Sequence, residues 1–135
     1  RAGAEVLHMH GEILKGFCTA CNARRFLVRG DLSISDVCGS CGIVGTLRPD
    51  VVWFGEMPYH MEEIYQRLAE AELFVSIGTS GAVYPAAGFV REAKMLGLQT
   101  MELNLEPSDN AYAFDQADYG LAGVVVPRRT MQFGI

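Results

Sequence analysis

Over residues 51–126 the apolar positions switch between two spacings, and that alternation lays out most of the fold. Residues 51–54, Val-Val-Trp-Phe, form a short apolar run with β-branched and aromatic side chains, which predicts a buried strand. Behind Pro58, Met61, Ile64, Tyr65 and Leu68 fall at helical spacing with Glu62, Glu63, Gln66, Arg67 and Glu70 on the other face, an amphipathic helix whose apolar stripe is core. Residues 73–77 are a second apolar run, ended by Gly78-Thr79-Ser80-Gly81. Pro85 then opens a helical stretch that reaches Leu96 and stops at Gly97. Residues 99–105 predict a third strand, and residues 119–126, ending at Pro127, a fourth. Strands alternating with helices of about 10 to 15 residues require crossover connections, so the class is α/β, a parallel sheet with helices on both faces.

The first third of the chain reads differently. Residues 5–10 are strand-like and lead to His10-Gly11-Glu12, and residues 13–50 are irregular, with glycines at 16, 30, 39, 42 and 45. Within them stand two C-x2-C pairs, Cys18/Cys21 and Cys38/Cys41, separated by the sixteen residues 22–37. That spacing suits a zinc ribbon, in which four thiolates converge about 2.3 Å from the metal and leave no open coordination position. Two disulfides or four reduced core cysteines are the alternatives. The organisation is thus a lead-in strand over residues 1–13, a zinc lobe over 14–50 and a sheet domain over 51–135. The chain starts at Arg1 without an initiator Met and enters a strand-like segment at once, as a chain starting mid-domain would.

Composition narrows the chemistry. At 135 residues, half of them apolar, the chain can build one core beside a small metal lobe. A net charge of -5, with only the short basic pairs Arg24-Arg25 and Arg128-Arg129, argues against a nucleic-acid surface. No apolar stretch approaches the roughly 20 residues of a membrane span, and nothing at the start resembles a signal sequence. A reducing, cytoplasmic setting follows for the four cysteines. In open parallel sheets ligands bind beyond the carboxyl ends of the strands, where Gly78-Thr79-Ser80 and Asn104-Leu105-Glu106 lie. Small and hydroxyl residues there let amides approach a phosphate, and an Asn or carboxylate can bond ribose hydroxyls. Without a G-x-G-x-x-G fingerprint the pattern equally suits an ordinary turn.

Taken in order, His10-Gly11-Glu12, the cysteine pairs, Leu47-Arg48-Pro49-Asp50-Val51-Val52-Trp53-Phe54-Gly55-Glu56, Gly78-Thr79-Ser80, Val83-Tyr84-Pro85-Ala86-Ala87 and Asn104-Leu105-Glu106 resemble the sirtuins, zinc-containing, NAD-dependent protein-lysine deacylases, and most of all their class III branch. The resemblance runs from about Val6 to Val126 and implies a Rossmann-like domain with a zinc lobe. It implies His10 as catalytic base and Cys18, Cys21, Cys38 and Cys41 as structural zinc ligands. By the same likeness Gly78, Thr79, Ser80, Asn104, Leu105, Glu106 and Ala122 contact NAD, while Val52, Phe54 and Val83 line the channel for an acylated lysine. In the family the acyl oxygen attacks the ribose carbon that carries nicotinamide, and a base then draws a proton from the ribose hydroxyls. An imidazole, which titrates near neutral pH, suits that task. The products are nicotinamide, free lysine and acyl-ADP-ribose.

Residues outside those roles have plainer readings. His8 shares a strand face with His10, and it and His60 are hydrogen-bonded core residues; Trp53 packs, its place beside the channel residues leaving room for a substrate role, and Glu12 and Glu56 cap or pair within loops. The family's opening strand, its Gly-Ala-Gly loop and its Thr-Gln-Asn-Ile-Asp segment are not among these residues, nor are the Tyr and Arg that read acidic acyl groups, so deacetylase and desuccinylase preference is not legible. Residues 128–135 lack the family's closing helix. Part of the sheet is therefore missing, which leaves an exposed edge and an unburied apolar face. A second function, an inactive zinc module acting through protein contacts, stands beside the enzyme.

Overall fold

The computed structural model describes residues 5–28 and 30–133. The side chains of Arg24 and Arg25, and the ends of the first and last predicted segments, lie outside what it describes. The chain divides into two compact units, Arg1–Ile64 and Tyr65–Ile135.

The first unit is built on an antiparallel sheet of order β2-β1-β3, with β1 at Gly11–Cys18, β2 at Arg24–Leu27 and β3 at Leu47–Val51. Residues 30–46 are turns and loop with one isolated bridge, Val37 to Val44, but much of the rest of the segment expected to be irregular is sheet. Its irregularity lies in the register, which shifts between Glu12 and Gly16 and again between Gly16 and Phe17. Residues 5–8 are not a strand: Met9 and His10 form a turn in which Gly11 N donates to His8 O at 2.9 Å, so the two histidines share no strand face. Nor are His8 and His60 core residues, since both are exposed. The strand expected at 51–54 begins earlier and stops at Val51, because Glu56 folds back and the next residues close a turn. Val52 and Phe54 consequently do not share a strand face.

The second unit matches its prediction more closely. Its parallel sheet has the order β4-β5-β6, with β4 at Leu73–Ile77, β5 at Gln99–Asn104 and β6 at Gln116–Tyr119. Helix α1 (Met61–Ala69), which begins in the first unit, precedes β4, and α2 (Phe89–Met95), entered through a 3-10 turn at Ala86–Gly88, provides the crossover to β5. Strand alternation divides the core. Phe74 packs with Leu68, Ala93 and Leu98 on one face, whereas Val75, Met101 and Leu103 pack with Val125 and Val126 on the other. Helices thus cover both faces.

Those last two valines belong to α3 (Ala122–Phe133), not to the strand expected at 119–126. Strand β6 ends at Tyr119, and Leu121 O then accepts the amides of Val124 and Val125 at 2.8 and 3.1 Å. Val125 is only 2% exposed, and burial against Met101 and Leu103 outweighs the β preference of the valine run. The same helix supplies the closing element that the sequence suggested was missing. Among the described residues no helix is long and apolar enough to cross a membrane.

Candidate functional site

In the first unit the two C-x2-C segments fold into matching turns. Cys18 N donates to Ala23 O and Asn22 N to Cys18 O, both at 2.9 Å; Cys38 N donates to Ile43 O at 3.0 Å and Gly42 N to Cys38 O at 2.8 Å. The residue after each pair, Asn22 or Gly42, has a left-handed φ of 56° or 73°. The turns bring all four sulfurs within 4.8 Å of one another, with Cys18 to Cys41 at 3.7 Å and Cys21 to Cys38 at 3.8 Å. A tetrahedron with metal–sulfur bonds of about 2.3 Å has edges of about 3.8 Å, so the thiolate cage fits zinc. A disulfide needs a sulfur separation of about 2.05 Å, and the cysteines are all free.

The thiols differ in acidity by their place in the turn. The Thr46 hydroxyl, 3.2 Å from Cys18 Sγ, pulls that thiol down to about 6. The amides of Cys41 and Ser40 lower Cys38 in the same way. For Cys21 the Ala23 amide favours the thiolate, yet desolvation and the three other sulfurs together push it up to about 12, and Cys41 is raised likewise against the Ile43 amide. The first cysteine of each turn is buried and the second exposed.

His10 lies on the turn into β1 and is exposed, its carbonyl accepting the Val52 amide at 3.0 Å. The proposed base and one proposed channel residue are therefore joined through the backbone. Gly11 makes that junction possible: its φ is +78°, and a Cβ there would lie 1.9 Å from the Asp50 carbonyl oxygen. Val52 is half-buried, whereas Phe54 is 93% exposed at the tip of its turn. Trp53 does not pack in a core; its ring lies under the Arg48 guanidinium, 3.6 Å from centroid to Cζ. Arg48 also holds Glu56 well below the usual carboxylate range, at about 2.

In the second unit a cavity of about 360 Å³ opens where β4 and β5 end, lined by Gly78, Thr79, Ser80, Asn104, Leu105 and Glu106. All six were assigned from sequence. Ala122 lines a smaller apolar recess of about 140 Å³ that shares Gly78, Asn104 and Leu105 with it. Val83 also lies in this unit, exposed, with its carbonyl accepting the Ala87 amide at 2.9 Å. Pro107, Ser108 and Asp109 complete the larger wall and Gly120 the smaller one, none of them marked by a motif.

The two loops are joined across the cavity. Asn104 Nδ2 donates to Thr79 O at 2.7 Å, and Asp109 N donates to Ser80 O at 2.9 Å. Beneath them Glu102, 1% exposed, accepts the hydroxyls of Ser108 and of Tyr119, the latter at 2.8 Å, and this carboxylate raises the Tyr119 pKa. Gly81 lets the loops close, because a Cβ there would stand 2.1 Å from Asn110 Oδ1 and 3.0 Å from Ser108 Oγ. Gly81→Ala is expected to spread the loops and destabilise the second unit by about 1 kcal/mol or more, the cost of a left-handed non-glycine residue. Urea unfolding against the wild type checks it, and an unchanged stability would show that Asn110 can give way.

The elements define a class, an α/β protein with a closed four-thiolate lobe and a polar cavity at its parallel strand ends. The Sir2 family model matches residues 1–85, and the chain belongs to that family. It is 54% identical over 134 residues to an NAD-dependent protein deacylase of Yersinia pseudotuberculosis serotype I, covering 98% of this chain and 48% of that protein. The corresponding Caulobacter vibrioides protein is 54% identical over 122 residues, 90% of this chain and 51% of its own. A solved Sir2 homolog–NAD complex superposes with a TM-score of 0.85 at 30% identity, covering 98% of this chain and 53% of that one. The chain spans about half the length of the curated relatives it matches.

Proposed function

We propose that this chain contributes the base, the zinc lobe and the cofactor floor of an NAD-dependent protein-lysine deacylase that works in the reducing cytoplasm. The observation that carries the reading is the cavity at the ends of β4 and β5, whose lining includes six positions matched to the family's NAD contacts. The relatives' printed activity and the NAD-bound homolog support it. Amides of Gly78, Thr79 and Ser80 and the hydroxyls of Thr79 and Ser80 would hold NAD, with Asn104 on the opposite wall and Ala122 in the apolar recess. Bound there, NAD would supply the electrophilic ribose carbon that carries nicotinamide. His10 accepts a ribose hydroxyl proton at its imidazole. Val52, Phe54 and Val83 receive the acylated lysine of a protein substrate. The four cysteines would hold zinc as a staple with no open coordination position for chemistry.

Nicotinamide release from NAD and an acetyl-lysine peptide tests this. The chain alone is expected to turn over weakly or not at all, and adding the amino-terminal half of a relative should raise the rate. His10→Ala should lower the restored rate by about 100-fold or more, the usual share of a general base. Restored turnover indifferent to His10→Ala would refute the assignment. The half-length match favours one other reading, an inactive zinc module acting through protein contacts, which predicts no release under either condition.

A further inference from the structure

Arg48 and Glu56 close around one short loop. The guanidinium lies over two rings, 5.0 Å from the Phe17 centroid on β1 and 3.6 Å from that of Trp53 on the loop. Nη1 donates to Glu56 Oε1 at 2.6 Å, and Nη2 donates to Oε2 at 3.0 Å and to Val51 O at 2.7 Å. Glu56 Oε2 also accepts the Trp53 amide at 2.9 Å, and Glu56 N returns a bond to Trp53 O at 3.0 Å. The turn from Trp53 to Glu56 is thus fixed at its entrance, its first residue and its last by a single planar cation. Val52 is fixed independently by the His10 carbonyl. Only the Phe54 side chain is left out, 93% exposed on a backbone that cannot swing.

A bidentate, stacked Arg–carboxylate pair is a costly way to hold a loop that only needs to be short. It fixes two planes and a direction, which a lysine point charge does not. An exposed aromatic ring on a rigid turn suits a ligand whose own chain must be received in one register.

We propose that Arg48 and Glu56 are positioning residues for the acylated-lysine substrate, setting the Val52–Glu56 backbone to receive the substrate main chain with Phe54 presented to its side chain. The inference rests on the deacylase reading. It ties peptide recognition to the zinc lobe, because Arg48 is paired with Phe17 across β1 and β3 and Phe17 adjoins Cys18.

Trp53 is the sole tryptophan of the chain, so the loop carries its own reporter. An acetyl-lysine peptide and its unacylated twin are titrated into wild type, Arg48→Lys, Glu56→Gln and the double variant, by calorimetry and by Trp53 emission. ADP-ribose affinity and bound zinc are measured on the same samples. Each single variant should weaken the acetyl-lysine peptide about tenfold, and the double variant no further, since both remove one clamp. ADP-ribose affinity should stay within about twofold and zinc content should not change. Wild-type peptide affinity in both single variants would overturn the positioning role. A parallel fall in ADP-ribose affinity would overturn it too, by marking a general structural loss. If wild type failed to distinguish the acetylated peptide from its twin, the substrate reading itself would fall, and this inference with it.

Discussion

Chelating zinc is expected to unfold the β2-β1-β3 sheet. Two of its strands abut the cage: β1 ends at Cys18, and β3 starts at Leu47, next to Thr46, whose hydroxyl touches Cys18 Sγ at 3.2 Å. Among the described residues this unit buries little apolar surface, since Ile13, Leu14 and Leu27 are all exposed and the buried apolar residues before α1 are Phe17, Cys18 and Cys38. Structural zinc binding of this kind contributes an apparent 10–16 kcal/mol, about the whole stability of a small domain. Amide exchange at Gly16, Phe17 and Cys18 should therefore rise to unprotected rates when a chelator is added, and Cys18→Ser should reproduce the effect. Protection that survives chelation would show that the thiols support the sheet without metal.

Gly11→Ala is expected to destabilise the first unit by about 3 kcal/mol or more. Two penalties coincide there. A left-handed backbone costs a non-glycine residue about 1 kcal/mol or more, and the added methyl would lie 1.9 Å from the Asp50 carbonyl oxygen, backbone with little room to retreat. Relief requires β1 and β3 to part at Gly11 and Val51, which are partners in register. The Val52 amide would then leave the His10 carbonyl, so turnover should fall along with stability. Urea unfolding of the zinc-loaded chain, compared with the wild type, gives the difference. A loss under about 1 kcal/mol would mean the turn into β1 can be rebuilt without glycine.

The second unit was the more legible because its strands are buried on both faces and so read as continuous apolar runs, while Pro and Gly mark its helix ends. Helix α1 stands where helical spacing placed it, α2 between Pro85 and Gly97, and β4 and β5 where the apolar runs placed them. Residues 119–126 misled because Val124-Val125-Val126 carries a β preference that packing of Val125 on β5 overrules. The first unit hid its strands because register shifts and exposed apolar residues erase alternation along β1. At the site, the motifs marked six cavity residues, but Ser108 was invisible, since its partner Glu102 is placed by the parallel registers of β4, β5 and β6. Arg48 and Glu56 stand eight residues apart across a strand end and a turn, a spacing that belongs to no regular element.

The matched cysteine turns carry a consequence for how the metal lobe assembles. Each turn closes through hydrogen bonds spanning no more than six residues, so either can form first and take the ion with two sulfurs. The remaining step is one loop closure over residues 22–37. The cost of such a closure grows only with the logarithm of length, about 0.6 kcal/mol for each doubling. Residues added between β2 and Ser33 would thus be tolerated, because lengthening the loop there leaves both halves of the cage and the strand intact.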